Sequence, residues 1–320
     1  MRLPPPGFSL NLRPMRPRLL LLLAAAWLLA TGDGTAERFS VATYNVENYL
    51  DRPVPGRTAK TTEGKAKVRD TLLAVRADVL ALQEIGSTNA LLELRASLQT
   101  AGLDYPHWEH ITGRDTNIHV AVLSRFPIVA RRPHTDDSFL LNGRRFRVSR
   151  GFVELDLQVT PQFQLTLLAA HLKSKRSVPE ADQAELREQE ALLLRVKIDA
   201  RLTTNPDAPL LVLGDLNDTR NAKPIRTIIG RARNALVDLR PEEATRAAPD
   251  APLQRLGANV TWTYFYNRED TYARFDYLLV NRALAARVVP EQTCVLALPW
   301  WREASDHRPV LVTFSLGPDK

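Results

Sequence analysis

Short apolar runs recur along the chain, and many of them alternate with polar residues, so the pattern predicts a protein rich in β-strands. The alternation is clearest between Phe152 and Val159, where Glu154, Asp156 and Gln158 separate apolar side chains, as in a half-buried antiparallel strand. The predicted strands are Phe39–Tyr44, Val79–Gln83, Val120–Leu123, Gly151–Val159, Gln164–Ala170, Leu210–Leu213, Tyr277–Val280 and Val310–Phe314.

Helical patterns separate several of these strands. The predicted helices are Lys65–Arg76, Leu91–Ala101 and Glu180–Leu202. The last is rich in Glu and Arg and has apolar residues at Leu186, Leu193, Val196 and Ala200, a composition typical of a long helix on the protein surface.

Two loops, Asp51–Glu63 and Arg240–Ala258, are rich in proline and charge and are long enough to be functional or mobile. The sequence contains no internal repeat, no low-complexity segment and no Gly/Ser linker that would divide it. We therefore expect one domain of sheets covered by helices.

The N-terminal segment differs from the rest of the chain. Four arginines, the last of them Arg18, precede an apolar run from Leu19 to Ala30, and mostly small residues follow up to Ala36. This order is typical of a secretory signal peptide, and the run is shorter than the roughly 20 apolar residues of a membrane-spanning helix. We expect residues 1–36 to be a signal peptide cleaved after Ala36 and residues 37–320 to be the mature domain, with an uncleaved membrane anchor as the alternative.

Removing this leader takes away four Arg and one Asp and lowers the net charge from +7 to +4, which favours anionic partners without identifying them. Cys294 is the only cysteine, so no disulfide can form within the chain. Stability must then come from the core, and 44% hydrophobic residues can build one. An export signal without disulfides indicates a bacterial protein that is periplasmic or secreted.

Five polar clusters stand where an apolar run gives way to a loop. They are Thr43–Glu47, Leu82–Glu84, His171–Lys175, Gly214–Asp218 and Ser305–His307. Together they offer oxygen ligands for a hard cation, two imidazoles and carboxylates that can activate water. This set suits metal-assisted hydrolysis of a phosphate ester.

Asn45 and Glu84 each end a predicted strand, and an Asn carbonyl with a Glu carboxylate is a natural pair of Mg²⁺ ligands. Glu47, two residues after Asn45, is a further candidate, either for a second ion or for supporting the first. Taken singly, each of these residues could instead be a turn-forming Asn or a capping Glu.

Asp215 and Asn217 follow a buried-looking apolar run, and residues two apart on an extended chain point to the same side. Both side chains could therefore address one ligand, although a polar turn is the alternative. His171 also ends a predicted strand, and Lys173 and Lys175 follow it, so a phosphate would be a suitable ligand there. A core histidine beside a solvated basic loop is the alternative for His171.

His307 lies just before the last predicted strand, and Asp276 lies just before another. A carboxylate bonded to one imidazole nitrogen fixes the tautomer and raises its basicity, and we expect Asp276 to serve His307 in this way. Asp306 would then face metal or water. A salt bridge with Arg274 is the alternative for Asp276.

The sequence has no Gly-rich phosphate loop, no Gly-x-Ser-x-Gly motif and no cysteine cluster. These absences argue against nucleotide kinases, serine hydrolases and zinc sites. From Phe39 to Phe314 the ordered clusters resemble the endonuclease/exonuclease/phosphatase superfamily, which has the deoxyribonuclease I-like fold. The resemblance rests on Asn45, Glu84, Ser124–Ile128, His171, Asp215, Asn217, Asp276 and Ser305–His307. It implies an α+β fold, a four-layer sandwich of two packed, mostly antiparallel β-sheets flanked by helices, with the active site at one edge.

The resemblance also implies roles for single residues. Glu84 with Asn45 would hold a catalytic Mg²⁺, for which Mn²⁺ or Ca²⁺ is an alternative, and Asp306 would lie next to the ion or its water. Asp215 would orient or deprotonate the attacking water, helped by Asn217.

His307, paired with Asp276, would contact the scissile phosphate, and the choice of general base between Asp215 and His307 stays open. His171 stands where deoxyribonuclease I-like members have a histidine and abasic-site repair members have a tyrosine. The chain is therefore expected to lie outside the repair branch.

The substrate has to be inferred from other residues, because this superfamily acts on DNA, RNA, sphingomyelin, inositol phosphates and nucleotides. A basic run surrounds Phe146, and the candidate substrate contacts are Arg125, Lys173, Lys175 and Trp301. Cations follow a phosphate backbone and aromatic rings stack on bases, so a nucleic acid is the expected substrate and an endonuclease the expected enzyme. A structural salt bridge is the alternative for Arg125.

The main alternative activity is a sphingomyelinase-like phospholipid phosphodiesterase, in which Trp300 and Trp301 would enter the membrane. A phosphatase acting on inositol or sugar phosphates is the third hypothesis. A non-enzymatic binding module is disfavoured by the complete set of ligands and imidazoles. No stable protein partner is implied, and we expect a monomer.

Overall fold

The computed structural model describes residues 37–248 and 251–317, besides Met1. The predicted signal peptide lies outside the described residues. Inter-residue contacts set the chain from Arg38 onward apart as a compact unit of its own, which holds all the strands and helices described below. Within the described part of the chain, no helix is long and apolar enough to cross a membrane.

The described residues form eighteen strands and six α-helices. The strands are β1 Arg38–Tyr49, β2 Val79–Ile85, β3 His107–Ile111, β4 His119–Ser124, β5 Ile128–Arg131, β6 Ser138–Leu141, β7 Arg144–Arg147, β8 Phe152–Thr160, β9 Phe163–His171, β10 Leu210–Asp215, β11 Val237–Asp238, β12 Glu243–Thr245, β13 Gln254–Arg255, β14 Tyr264–Tyr266, β15 Thr271–Ala273, β16 Asp276–Val280, β17 Cys294–Leu296 and β18 Val310–Ser315. The helices are α1 Thr62–Val75, α2 Thr88–Thr100, α3 Gln183–Thr204, α4 Lys223–Ile229, α5 Arg282–Ala285 and α6 Trp301–Ala304.

Two large sheets form the centre of the fold. The first contains eight strands in the order β13-β12-β17-β18-β1-β2-β4-β3, and the second contains six in the order β11-β16-β10-β9-β8-β5. The hairpins β6–β7 and β14–β15 stand outside these sheets. Most neighbouring strands are antiparallel, but β1 pairs with β2, β9 with β10 and β12 with β17 in parallel.

Alternation along each strand builds the layers, because successive side chains face opposite sides of a sheet. In β1, Phe39 and Val41 join the core shared by the two sheets, whereas Ala42 and Tyr44 join the core between the first sheet and its helices. In β10, Leu211 likewise belongs to the shared core and Val212 to the core that includes α3 and α4. The result is the expected α+β sandwich of four layers.

Helix α3 buries a wider stripe than the apolar positions that its sequence suggested, of which Leu186 is buried and Leu193 is partly buried. The side chains packed in the core are Ala191, Leu194, Ile198 and Leu202, while Val196 is 60% exposed. Arg187 and Glu190 also lie on the buried side, so charged residues concealed the stripe. The helix begins after Asp182, whose carboxylate accepts hydrogen bonds from the first backbone N–H groups.

Parallel pairing determines where the site can form. Parallel strands end at the same edge of a sheet, so Asn45 on β1 and Glu84 on β2 lie on neighbouring strand ends. In the second sheet His171 ends β9 directly beside Asp215, which ends β10. Asp276 opens the antiparallel strand β16 and pairs with Asp215 on its other side.

Candidate active site

Asp215 joins the two sheets at this edge. Its Oδ2 accepts a hydrogen bond from Asn45 Nδ2 at 3.0 Å and lies 3.4 Å from His171 Nε2 and 3.7 Å from His307 Nε2. Its Oδ1 accepts the backbone N–H of Asn217 at 2.9 Å. Burial raises the pKa of Asp215 to about 7, although the charge of His307 opposes the rise.

His307 and Asp276 form a buried pair. His307 Nδ1 lies 2.7 Å from Asp276 Oδ2, while the Arg274 guanidinium pairs with Asp238 instead. Burial alone would lower the pKa of His307, but Asp276 and Asp215 hold it well above its usual value. The imidazole therefore carries a positive charge beside two carboxylates.

Ser305 fixes the backbone next to this imidazole. Its Oγ donates to the carbonyl oxygen of Asn45 at 2.7 Å and accepts the backbone N–H of His307 at 3.0 Å. Since Ser305 is fully buried, both bonds are shielded from water. They connect β1 with the loop that precedes β18.

His171 lies fully buried on the other side of Asp215. Burial lowers its pKa well below the usual value, and Arg150, His307 and Arg57 lower it further. Its Nδ1 has no hydrogen-bond partner among the described residues. Asn217 Nδ2 donates to the carbonyl oxygen of Leu172, so this side chain holds the backbone just after His171.

Glu84 stands at an irregular point of β2. The pairing with β4 shifts register between Gln83 and Ile85, and Glu84 has a φ of 63°. A bulge of this kind turns a side chain away from its normal direction, and such bulges are frequent next to active sites. Glu84 Oε2 accepts the backbone N–H of Asn48 at 3.0 Å, and within the described residues no hydrogen bond engages its Oε1.

Acidic groups crowd the space around Glu84. Burial raises the pKa of Asp306 to about 7, and the nearby carboxylates of Glu47 and Glu84 add to the rise, while His307 opposes it. Lys60 Nζ lies 3.3 Å from Glu47 Oε2 and supplies part of the compensating charge.

The chemistry of this donor set fits a hard cation. Glu84, Asp306 and Glu47 offer carboxylate oxygens and Asn45 an amide oxygen, and Mg²⁺ is typically held by one or two carboxylates with water in the remaining positions. Over residues 37–248 and 251–317, no group of three or more His, Cys, Asp or Glu side chains could hold an ion by itself. Water would therefore have to complete the shell of an ion held by these oxygen donors.

Arg125 is not part of the site. Strand β4 runs antiparallel to β2, so Arg125 adjoins the start of β2, whereas Glu84 lies near its end. Arg125 Nη1 forms an ion pair with Asp78 Oδ1 at 3.1 Å. This placement corrects the expectation that Arg125 contacts a substrate, and the alternative of a structural salt bridge applies.

The two lysines after His171 have different surroundings. Lys173 Nζ donates to the carbonyl oxygens of Ser174 and Arg176, at 3.0 and 2.7 Å, and is thus bound by its own loop. In this position Lys173 is 8% exposed, and its contact with a substrate stays a prediction. Lys175 is half exposed; its Nζ lies 3.2 Å from Asp218 Oδ1.

Trp301 belongs to an aromatic cluster. Its ring centroid lies 5.2 Å from that of Trp262 and 5.9 Å from that of Phe265, which holds the β14–β15 hairpin against α6. Trp300 packs partly buried against the core, and its Nε1 donates to Thr71 Oγ1. Trp301 is half buried, so its expected stacking on a substrate is restricted to the remaining exposed part.

The sequence profile of the endonuclease/exonuclease/phosphatase family matches residues 42–307, which include every residue of this site. The chain belongs to this family. Its members are generally hydrolases that act on phosphoester bonds. No curated protein sequence matches the chain significantly.

Solved structures share the fold of this family member at low sequence identity. Sphingomyelinase C from Streptomyces griseocarneus is 17% identical with a TM-score of 0.59, over 87% of this chain and 100% of that chain. The human Nocturnin catalytic domain is 14% identical with a TM-score of 0.61, over 87% and 94%. Truncated TDP2 from Caenorhabditis elegans is 17% identical with a TM-score of 0.55, over 87% and 97%. At these identities the likeness establishes the deoxyribonuclease I-like fold alone.

Two residues at this site, Arg57 and Tyr264, were not predicted from the sequence. Arg57 contacts Glu84, and the ring of Tyr264 lies 4.8 Å from the ring of His307. The Val-Pro-Gly-Arg turn that ends at Arg57 could have drawn attention to it. Tyr264 is brought in by the isolated bridge between Tyr264 and His307, which joins distant parts of the chain.

Proposed function

We propose that the chain is a Mg²⁺-dependent phosphodiester hydrolase that cleaves nucleic acid internally. The observation that carries this proposal is the convergence on Asp215 of Asn45, His171 and the His307–Asp276 pair, with Glu84 beside them. A hydrolase of this kind needs a held cation, an oriented water and fixed positive groups for the phosphate.

Glu84 and Asn45 would hold the Mg²⁺, with Asp306 next to it and Glu47 as a further candidate. When bound, the ion would offset the negative charge that builds on the phosphate oxygens. Asn45 Nδ2 donates to Asp215, and Asn45 Oδ1 accepts the backbone N–H of Glu47 at 2.9 Å. The amide is thereby held in one orientation, and Oδ1 keeps a second lone pair that could bind the ion.

Asp215 would orient the attacking water and accept its proton. Three nitrogen groups surround its Oδ2, and they fix the carboxylate in one direction. His307 is engaged at Nδ1 by Asp276, which leaves Nε2 to donate to a phosphate oxygen. His171 would contact the same phosphate, and Asn217 would support it through the Leu172 carbonyl.

An aromatic row beside His307 supports a nucleic acid as the substrate. The ring of Tyr264 lies 5.0 Å from that of Phe275 at an interplanar angle of 20°, and Tyr266 continues the row at 6.4 Å. Lys175 Nζ stands 5.1 Å from the centre of the Phe275 ring. Phe275 is buried, whereas Tyr264 and Tyr266 are partly exposed, so the two tyrosines are the rings that could stack on bases beside this cation.

The β14–β15 hairpin argues against the phospholipid alternative. Its tip, Asn267–Asp270, consists of polar and charged residues, whereas a segment that enters a membrane needs an apolar tip. Trp300 and Trp301 are partly buried in their clusters rather than displayed together. We further propose that residues 1–36 direct export, because their arginines and short apolar run have the order of a signal peptide.

The test compares substrates with one enzyme preparation of residues 37–320 in Mg²⁺. The panel contains supercoiled DNA, single-stranded RNA, sphingomyelin vesicles and an inositol phosphate, each with the Glu84→Ala variant as the control for a contaminating enzyme. We expect nucleic acid to be cleaved at the highest kcat/KM. Faster hydrolysis of sphingomyelin would support the phospholipid alternative, and phosphate release from the inositol phosphate alone would identify a phosphatase.

A further inference from the structure

A rigid turn presents one cation to the candidate metal ligands. The segment Val54-Pro55-Gly56-Arg57 closes with two backbone hydrogen bonds, Val54 N to Arg57 O at 3.1 Å and Arg57 N to Val54 O at 3.0 Å. Gly56 has a φ of +76°, and proline followed by a glycine of positive φ is the signature of a type II turn. The position of Arg57 is therefore set by the turn.

The guanidinium of Arg57 contacts three groups at the site. Its Nη1 donates to Asn48 Oδ1 at 2.7 Å and lies 3.4 Å from Glu84 Oε2, and its Nη2 lies 3.9 Å from Asp115 Oδ2. The side chain is 20% exposed, so it is only partly shielded from water. Arg57 thus neutralises Glu84, one of the two residues that would hold the metal.

We propose that Arg57 is a substrate-binding residue that competes with the metal for Glu84 and turns to a phosphate oxygen once the metal has bound. This inference rests on the proposed function and extends it, because it couples metal binding to phosphodiester binding through one guanidinium. The ligand of Arg57 in the working enzyme is a non-bridging oxygen of a phosphodiester.

The local charges lead to this inference. Arg150 Nε lies 3.5 Å from the same Asp115 Oδ2 that Arg57 approaches, so one carboxylate serves two guanidinium groups. Glu84 supplies the second negative charge only while no cation occupies it. A divalent ion at Glu84 would repel Arg57 and take up that charge, so Arg57 would be left to share Asp115 with Arg150. A phosphodiester carries the single negative charge that restores the balance.

A second cation, Arg176, lies beside this turn. A Cβ placed on Gly56 would lie 3.5 Å from Arg176 Nη2, so the Arg176 guanidinium packs over the turn. Two arginines at this turn, Arg57 and Arg176, favour an anion as the ligand there. If Arg57 only holds the loop in place, its removal should weaken metal binding, whereas competition for Glu84 predicts that its removal strengthens metal binding.

The experiment measures metal binding without turnover. Metal-stripped protein would be titrated calorimetrically with MnCl₂ alone, for the wild type, Arg57→Ala, Arg57→Lys and Arg52→Ala; Arg52 is an exposed cation on the same loop and gives the matched control. We expect Arg57→Ala to bind Mn²⁺ roughly three- to tenfold more tightly, because a like charge near the ion is removed. Arg57→Lys and Arg52→Ala should bind it as the wild type does.

The second readout is the kinetics with bis(4-nitrophenyl) phosphate, a phosphodiester that needs no nucleic acid-specific contact. Arg57→Ala should raise KM about tenfold and change kcat less than threefold, and Arg57→Lys should raise KM too because a lysine cannot donate as a fork. Weaker Mn²⁺ binding by Arg57→Ala, with a lower Tm, would overturn the inference in favour of a structural role. Unchanged Mn²⁺ binding and unchanged KM would also overturn it. If the wild type binds no Mn²⁺ at all, the proposed metal dependence fails as well, and the calorimetry distinguishes that result.

Discussion

His307 Nδ1 and Asp276 Oδ2 are 2.7 Å apart in a buried pair, and the free face of this imidazole points to Asp215. Asp276 engages Nδ1 and raises the pKa of His307, so the protonated Nε2 is the nitrogen that would donate to the phosphate. Replacing Asp276 with Asn keeps the size of the side chain but removes the negative charge that keeps this imidazole protonated and oriented. We expect Asp276→Asn to lower kcat by roughly 10² to 10⁴ with little change in KM, as in other carboxylate–histidine pairs.

The measurement for Asp276 is the initial rate of plasmid nicking at saturating substrate, with the fold verified by circular dichroism. Asp238→Asn is a suitable comparison, since Asp238 is a buried carboxylate that pairs with Arg274 instead of with a histidine. Wild-type activity in Asp276→Asn would show that the His307–Asp276 pair does not contribute to catalysis.

Tyr264 is predicted to contact a base through its ring alone. Tyr264→Ala should raise KM for a single-stranded oligonucleotide about tenfold, because the stack with one base contributes about 1–3 kcal/mol. Tyr264→Phe keeps the ring and should stay within about twofold of the wild type. Steady-state kinetics of all three proteins check this. An equal rise in KM for Tyr264→Phe and Tyr264→Ala would show that the hydroxyl group, and not the ring, contributes to binding.

Gly214 allows β9 and β10 to approach each other just before Asp215. It has a φ of +132°, and a Cβ there would lie 1.9 Å from the carbonyl oxygen of Ala170. Gly214→Ala should therefore destabilise the fold by about 3 kcal/mol or more, since neither backbone can move without disturbing the sheet. Gly257→Ala, where a Cβ meets only Val260 Cγ2 at 3.5 Å, should change stability by less than about 1 kcal/mol. Urea unfolding compares the two, and a stable, active Gly214→Ala would contradict the argument.

Glu154 makes the stability of the fold depend on pH at low values. It accepts hydrogen bonds from Arg132 Nε at 2.6 Å and Arg201 Nε at 2.5 Å and lies 2.7 Å from His134 Nε2. Burial alone would raise its pKa, but His134, Arg132 and Arg201 lower it to about 2. Because the folded pKa lies below the unfolded value of about 4.3, this stabilisation is complete above pH 4.3 and is lost as the pH falls toward 2.

Glu154→Gln should accordingly lower the free energy of unfolding by about 3 kcal/mol at pH 7, since it leaves Arg201 and His134 without their carboxylate and Arg132 with Asp156 alone. The difference from the wild type should shrink between pH 4 and pH 2. Urea unfolding at pH 7, 4 and 2.5 measures it, with Glu63→Gln as the control at an exposed helix start. A difference that is the same at all three pH values would be inconsistent with the shifted pKa.

The residues that could be predicted from the sequence are those at the ends of apolar runs. Asn45, Glu84, His171 and Asp215 each lie at or near the end of a strand, and parallel pairing brings the ends of such strands together. The pattern of apolar runs predicted a domain of sheets covered by helices, and the resemblance to the family implied that two sheets pack as a sandwich. Their order along the chain was enough to indicate the family.

Other residues could not be placed from the sequence, because their locations depend on strand direction and on the paths of loops. Arg125 also follows an apolar strand, but β4 runs the other way, so Arg125 lies at the far edge. Nothing in a single apolar run reveals its direction in the sheet. Arg57 and Tyr264 reach the site through a turn and a bridge that connect distant segments, and Lys173 is bound by carbonyls of its own loop.

The most direct test of the central claim is the nicking of supercoiled plasmid by residues 37–320 in Mg²⁺, with EDTA, Glu84→Ala and His307→Ala as the three controls. The account predicts open-circular DNA with the wild type, and a rate at least about 100-fold lower in each control, since one removes the ion, one a ligand and one the donor to the phosphate. Plasmid that stays supercoiled with the folded wild-type protein, or nicking that persists in EDTA, would contradict it.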